Sequence, residues 1–204
     1  MPKILHIKAS PRGMLSDSTK VAEAFLRAFL KGHPNFGTEE LDLFREELPP
    51  FEAPAAAAKY AVLGGGEPTG PDARAWKAVI EVIDRFKSAD MVIVSSPMWN
   101  FGIPYRLKHY VDLLVQPGLT FVYGPEGYKG LVTARPAVLV LSRGGAYVPG
   151  DAMDFQRRYL ETILGFIGFT DIRTVLIEAT LGGGDTKPIV EKAIAEAREL
   201  AGKM

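Results

Sequence analysis

The stretch KILHIKASPRGMLSDSTKVAEAFLRAFL, Lys3 to Leu30, divides into three parts. KILHIK is a short run of strand-forming residues. ASPRGMLSDST is a loop that holds Ser10, Pro11 and Gly13 and ends on hydroxyls. From near Ser18 onward, Val21, Phe25, Ala28 and Phe29 recur on one face of an expected helix. Strand, loop and helix in that order open a βαβ unit.

The same alternation runs outward along the chain. Glu39 to Leu43 is a candidate second strand. MVIVS, Met91 to Ser95, is continuously apolar, the pattern of a strand covered on both faces. AVLVL, Ala137 to Leu141, repeats it, and Ile172 to Ile177 is a fifth candidate. Helical stripes fall at Trp76, Val79, Ile80, Ile83 and Phe86, and at Leu107, Tyr110, Val111 and Leu114. Another helix is expected from Met153 to Ile167, and the last places Val190, Ala193, Ile194, Ala197 and Leu200 on one face. Five strands alternating with five helices imply an α/β fold, a doubly wound five-stranded parallel sheet with helices on both faces. Right-handed crossovers leave few topologies. Ligands of such sheets bind outside the carboxyl ends of the strands, beside a topological switch point. The loops after the first, third and fourth strands are therefore the ones to read for chemistry.

Two stretches interrupt the alternation within what reads as a single domain, residues 1–204. Pro49 to Pro71 is rich in Ala, Pro and Gly and carries no core of its own, so it reads as a surface excursion. Gly118 to Val132 has the pattern of a small hairpin.

Composition narrows the function. The chain has 204 residues, 47% of them hydrophobic, enough for one continuous core. Its 24 basic residues balance 24 acidic ones, which gives no footprint for nucleic acid and no field to steer an acidic electron shuttle. The absence of cysteine removes disulfides, thiolate nucleophiles and thiolate metal sites. His6, His33 and His109 lack ligand spacing, so no metal is expected. No stretch approaches the ~20 apolar residues of a membrane span. The first ten residues read as a buried strand and not as a signal peptide. A cytoplasmic protein is the expectation.

Ser10, Ser16, Ser18 and Thr19 lie just before or within a helix start, where free N–H groups and the helix dipole favour a phosphate. A cap of that helix by Ser16 or Ser18 is the plainer alternative. The next loop, SSPMWNFGIPYRLK, places Met98, Trp99, Asn100 and Phe101 between Pro97 and Pro104. Large flat side chains around one amide suit a planar heteroaromatic ligand with a polar edge. The alternative is a hydrophobic loop packed on the following helix. The third loop, SRGG from Ser142 to Gly145, permits close backbone approach, or is an ordinary strand-to-helix turn.

Together these loops suit one ligand with a phosphate, a flat ring and a polar ring edge. The combination of PMWNF, TFVYGPEG with GLV, SRGG, and LGFIGF at Leu164 to Phe169 resembles the flavodoxin-like FMN-dependent NADH azoreductases, also called FMN-dependent NADH:quinone oxidoreductases. The resemblance runs from the first strand to the last helix and is weakest between Pro49 and Pro71. It implies that Ser10, Ser16, Asp17 and Ser18 contact the FMN phosphate and ribityl chain. It also implies that Met98, Trp99, Asn100 and Phe101 hold the isoalloxazine, and that Ser142, Arg143, Gly144 and Gly145 meet its pyrimidine end. Trp99, Phe121 and Tyr147 become candidate acceptor-site residues, and a homodimer with two sites at its interface is implied. Three departures stand out: Trp99 replaces a usual Tyr, Tyr147 stands where a His is common, and Asp17 replaces a neutral polar residue.

The activity implied is two-electron transfer from NADH or NADPH to quinones or aromatic azo compounds, in ping-pong order. Hydride transfer needs alignment more than acid–base chemistry, so no catalytic side chain is assigned. A flavodoxin-type one-electron carrier and a regulatory module on the same scaffold are the alternatives. The chain leaves no second nucleotide-binding domain, so nicotinamide binding is expected to be superficial.

Overall fold

KILHIK forms β1 (Lys3–Lys8) and pairs on both sides in the computed structural model, which describes residues 1–133 and 135–204. Its parallel partners are β2 (Gly37–Asp42) and β3 (Met91–Pro97). β3 pairs in parallel with β6 (Pro136–Ser142), and β6 with β7 (Asp171–Ile177). The order is β2-β1-β3-β6-β7, so the winding reverses between β1 and β3. That is the switch point the alternation implied.

Side chains alternate across this sheet. Ile4, Met91, Ile93, Val138, Val140 and Val175 point to one face. There they meet Val21 and Phe25 of α1 (Asp17–Gly32) and Ala193 and Ala197 of α6 (Lys187–Ala201). Leu5, Ile7, Val92, Val94, Leu139 and Leu141 point to the other. That face is covered by α3 (Gly70–Lys87), α4 (Tyr105–Leu114) and α5 (Phe155–Ile167).

The Pro49 to Pro71 stretch corrects the expectation of a coreless excursion. It contains a sixth helix, α2 (Ala53–Leu63), packed on α3, with Ala55 and Ala58 buried. Phe51 and Val62 also pack on the core, whereas Tyr60 points outward. Alanine is the best helix former, and Pro54 suits a first turn. A run of alanines has no apolar–polar contrast, however, so periodicity cannot reveal it. Arg106 Nε donates to the Leu43 carbonyl (2.6 Å) and His109 Nε2 to the Pro49 carbonyl (3.0 Å), tying the preceding loop to α4.

The expected hairpin is present as antiparallel β4 (Phe121–Gly124) and β5 (Gly127–Gly130). A Cβ on Gly130 would lie 2.3 Å from the Gly168 nitrogen, and Gly168 itself closes α5 at φ +118°. Two glycines therefore let the hairpin lie directly on the end of α5.

The α1 face of the sheet carries one polar patch, at the carboxyl ends of β1 and β3. His6 Nε2 lies 2.9 Å from Ser95 Oγ, and His6 Nδ1 lies 3.5 Å from Glu23 of α1. Lys8 Nζ reaches Glu23 at 3.1 Å and Glu40 of β2 at 2.8 Å. His6, then Lys8, hold the Glu23 carboxyl down to about 2 from an ordinary 4.5, against the opposing cost of burial. A carboxyl depressed on folding contributes stability above its unfolded pKa and loses it as the pH falls through its folded one. Melting temperature is therefore expected to fall more steeply between pH 4.5 and about 2 in the wild type than in Glu23→Gln. Parallel slopes in the two proteins would contradict this.

Candidate functional site

The loop after β1 delivers the chain to α1 through a short 3-10 turn, Gly13–Leu15. Ser16 stands at the N-cap position of α1, yet its side chain caps nothing. Its Oγ lies instead 3.0 Å from Ser18 Oγ. The capping alternative is thereby answered, because the first N–H groups of α1 keep no capping side chain. Asp17, the first residue of the helix, turns along it to meet Lys20 at 3.0 Å. Its charge is partly neutralised there, and its backbone amide stays with the open helix end.

After β3, Met98 N donates to the Ser142 carbonyl (2.7 Å), which joins this loop to the one after β6. Trp99 and Gly102 exchange backbone bonds of 3.0 and 2.9 Å around a two-residue turn. Both turn residues are left-handed, Asn100 at φ 47° and Phe101 at φ 67°. Two positive φ values at the turn centre are the requirement of a type I′ hairpin, and Phe is an uncommon residue to meet it. Strain of this kind concentrates at ligand sites. The turn holds Trp99 about one-third exposed, against Phe44 (5.9 Å between centroids) and Tyr105 (6.5 Å).

The loop after β6 is clamped from behind by the loop after β7. Ala179 N donates to Gly145 O (3.0 Å), Leu181 N to Gly144 O (3.2 Å), and Thr180 Oγ1 to Arg143 O (3.0 Å). Every carbonyl of Arg143-Gly144-Gly145 is thus engaged, while the Gly144 and Gly145 amides donate to no described group. Arg143 lines the cleft, while its guanidinium turns toward two carboxylates. Its Nη1 lies 2.6 Å from Asp154 and its Nε 3.3 Å from Glu178, both off the hydrogen-bond line. The Tyr147 ring lies 5.3 Å from the guanidinium. Tyr147 N also donates to Glu178 (3.1 Å), so this pair braces the loop.

These loops enclose a cleft of about 310 Å³ lined by Ser10, Ser16, Asp17, Met98, Trp99, Ser142, Arg143 and Gly144. The size lies at the lower end for small-molecule sites. Ser18, fully buried, reaches the cleft only through Ser16. Asn100, Phe101 and Gly145 follow lining residues in the chain but do not line it themselves. Phe121 does not join Trp99. It lies in the hairpin against Phe166, 4.8 Å between centroids, because the Gly130–Gly168 contact seats the hairpin on α5. Tyr147 braces Arg143 and does not line the cleft. Sequence reasoning missed Arg12, Thr180 and Leu181. The loop after the last strand, ending in the glycine run Gly182 to Gly184, was the available signal for the last two.

The fit to FMN rests on three features. An open helix start suits a phosphate, an indole and a thioether suit a flat ring, and the Gly144 amide, without a partner among the described residues, suits its polar edge.

Removing one member of a buried ion pair costs ~3–5 kcal/mol, less here on the part-exposed Glu178 side. Arg143→Ala should therefore lower unfolding free energy by about 2–4 kcal/mol in urea. Arg143→Lys should recover the charge but not the fork geometry. An Arg143→Ala protein as stable as the wild type would contradict the bracing role.

Comparison with known proteins agrees with this geometry. Residues 2–201 match a family model described as the flavodoxin-like fold. An FMN-dependent NADH:quinone oxidoreductase of Nitratidesulfovibrio vulgaris is 48% identical, across 98% of this chain and 99% of its own. Azoreductase from Bacillus anthracis strain Sterne superposes with a TM-score of 0.91 at 34% identity, over the whole of both chains. An FMN-dependent NADH-azoreductase of B. anthracis, solved in complex with FMN, gives 0.89 at 27% identity, over 100% of this chain and 99% of its own. The chain belongs to the FMN-dependent NADH:quinone oxidoreductase family of flavodoxin-like proteins.

Proposed function

We propose that the chain binds FMN in the cleft at the carboxyl ends of β1, β3 and β6. There it passes two electrons from NADH or NADPH to a quinone or aromatic azo acceptor, as a cytoplasmic homodimer. The uncapped start of α1, sharing one cleft with the open Gly144 amide, is the observation that carries this reading. The activities for which these relatives are named support it.

Bound FMN supplies the two-electron chemistry, taking hydride from nicotinamide and yielding it to the acceptor. The chain supplies position. Ser16 and the first amides of α1 would hold the phosphate against the positive helix end. Trp99 and Met98 would wall the ring, and the Gly144 amide, with Gly145 next to it in the chain, would donate to its polar edge. A cleft of about 310 Å³ leaves little room for nicotinamide and acceptor together, which supports ping-pong order.

The dimer is supported by exposed apolar surface. Phe101, Tyr105 and Phe155 are each 45% exposed or more, beside an apolar hollow of about 400 Å³ bordered by Ile103, Phe155 and Tyr159. Contiguous exposed apolar surface of this kind marks interfaces, and two-fold pairing is the commonest way to cover it. Among the described residues, no helix is long and apolar enough to cross a membrane.

Titration of FMN into apoprotein variants tests the reading. Ser16→Ala removes a hydrogen bond to a charged group, worth ~1.5–3 kcal/mol, or roughly 10- to 150-fold in affinity. Ser18→Ala should cost less, because it acts through Ser16. Asp17→Asn should tighten binding by only about twofold, since its charge is screened and partly paired. A neutral Ser16→Ala with a binding-dead Asp17→Asn would overturn the phosphate assignment. Sedimentation of the same samples should show a dimer; a fully active monomer at nanomolar concentration would remove the dimer from the proposal.

A further inference from the structure

The loop after β7 does more than brace the loop after β6, because it also delivers Leu181 to the lining of the cleft. Leu181 is 86% exposed. A single exposed leucine is ordinary on a protein surface, but this one is held where it is. Ala179 N, Thr180 N and Leu181 N donate to the carbonyls of Gly145 (3.0 Å), Arg143 (3.3 Å) and Gly144 (3.2 Å). Ala179 is left-handed, at φ 57°. Alanine is uncommon in that conformation, which persists only where surrounding contacts fix it.

The side chain is seated as firmly as the backbone. A Cβ built on Gly144 would lie 2.4 Å from Leu181 Cδ1 and 2.8 Å from its Cγ. Leu181 therefore rests directly on the Gly144 backbone, which only a glycine at that position permits. Gly182, Gly183 and Gly184 follow it in the chain and bring no side chain to cover its outer face.

The sheet order gives this position its meaning. β6 lies between β3 and β7, so the loop that carries Gly144 has Met98 and Trp99 on one side and Leu181 on the other. All four residues line the same cleft. A ring whose polar edge accepts from the Gly144 amide thus meets apolar surface from both neighbouring loops. Leu181 would be covered by that ring and would keep water from the amide bond, which a dry setting strengthens.

We propose that Leu181 is the retaining residue of the cleft, packing on the flavin edge seated at Gly144 and slowing the release of bound FMN. The proposal rests on the reading of the cleft as the flavin site.

Release of FMN from diluted holoprotein, followed by the rise in flavin fluorescence, tests it together with the rate of uptake by apoprotein. Leu181→Ala should raise koff about tenfold, as expected for uncovering most of one aliphatic side chain, and change kon by less than about twofold. Leu181→Met, which nearly conserves volume, should stay within about threefold of the wild type. Gly144→Ala keeps the amide but displaces Leu181, so it should raise koff at least as much. Adding Leu181→Ala to it should then raise koff little further, because the two changes remove the same contact. Leu181 is exposed in the unliganded protein, so Tm of the Leu181→Ala apoprotein should stay close to that of the wild type. An unchanged koff in Leu181→Ala, additive effects in the double variant, or a comparable loss of apoprotein stability would overturn the retaining role and leave the flavin reading standing. Wild-type protein that binds no FMN would contradict that reading and this one with it.

Discussion

The parallel register of β1, β3 and β6 is the constraint on which the site depends. Lys8 pairs with Ser95, and Pro97 with Ser142, so three strands end near one level and release their loops side by side. Apolar residues on both faces hold that register, because a slip by one residue would exchange the two buried faces. Leu139 and Val140 illustrate the point: adjacent in sequence, they enter different cores. The cleft is therefore a consequence of how the strands pair, and the loops need little structure of their own to converge.

Buried charge fixes what the strands bring together. Lys8 and Glu23 join the end of β1 to α1. Arg143, with Asp154 and Glu178, joins the loop after β6 to the start of α5 and the end of β7. Asp154 is also the residue that caps α5, accepting from Arg157 N at 3.1 Å. Buried pairs of this kind add little net stability compared with apolar packing but are costly to break singly. Both sit at the carboxyl edge of the sheet, where the ligand loops need to be held still.

Much of this was legible in the sequence. The five strands and their parallel arrangement follow from apolar runs such as MVIVS and AVLVL, which need cover on both faces. The serine-rich loop and the Met98 to Phe101 stretch stand out because they break the rules for ordinary loops, whereas SRGG alone reads as an ordinary strand-to-helix turn and gains meaning only beside them. Other features were not legible, for physical reasons. The alanine helix α2 has no amphipathic pattern. The inward turn of Arg143 depends on Asp154 and Glu178, carboxylates 11 and 35 residues away in the chain. The left-handed φ at Asn100 suits asparagine, whereas that at Phe101 goes with the Trp99–Gly102 bridge and not with local preference. Phe121 sits where two glycines allow its hairpin to rest, which no property of Phe121 itself reveals.

The central claim is that an uncapped helix start, an indole and the glycine amide at Gly144 together form a site for one FMN. Acid release of the chromophore from purified protein measures this most directly. The account predicts yellow protein that releases FMN, close to one per chain, and takes it up again as apoprotein. Colourless protein that does not take up added FMN, or release of FAD in its place, would contradict it.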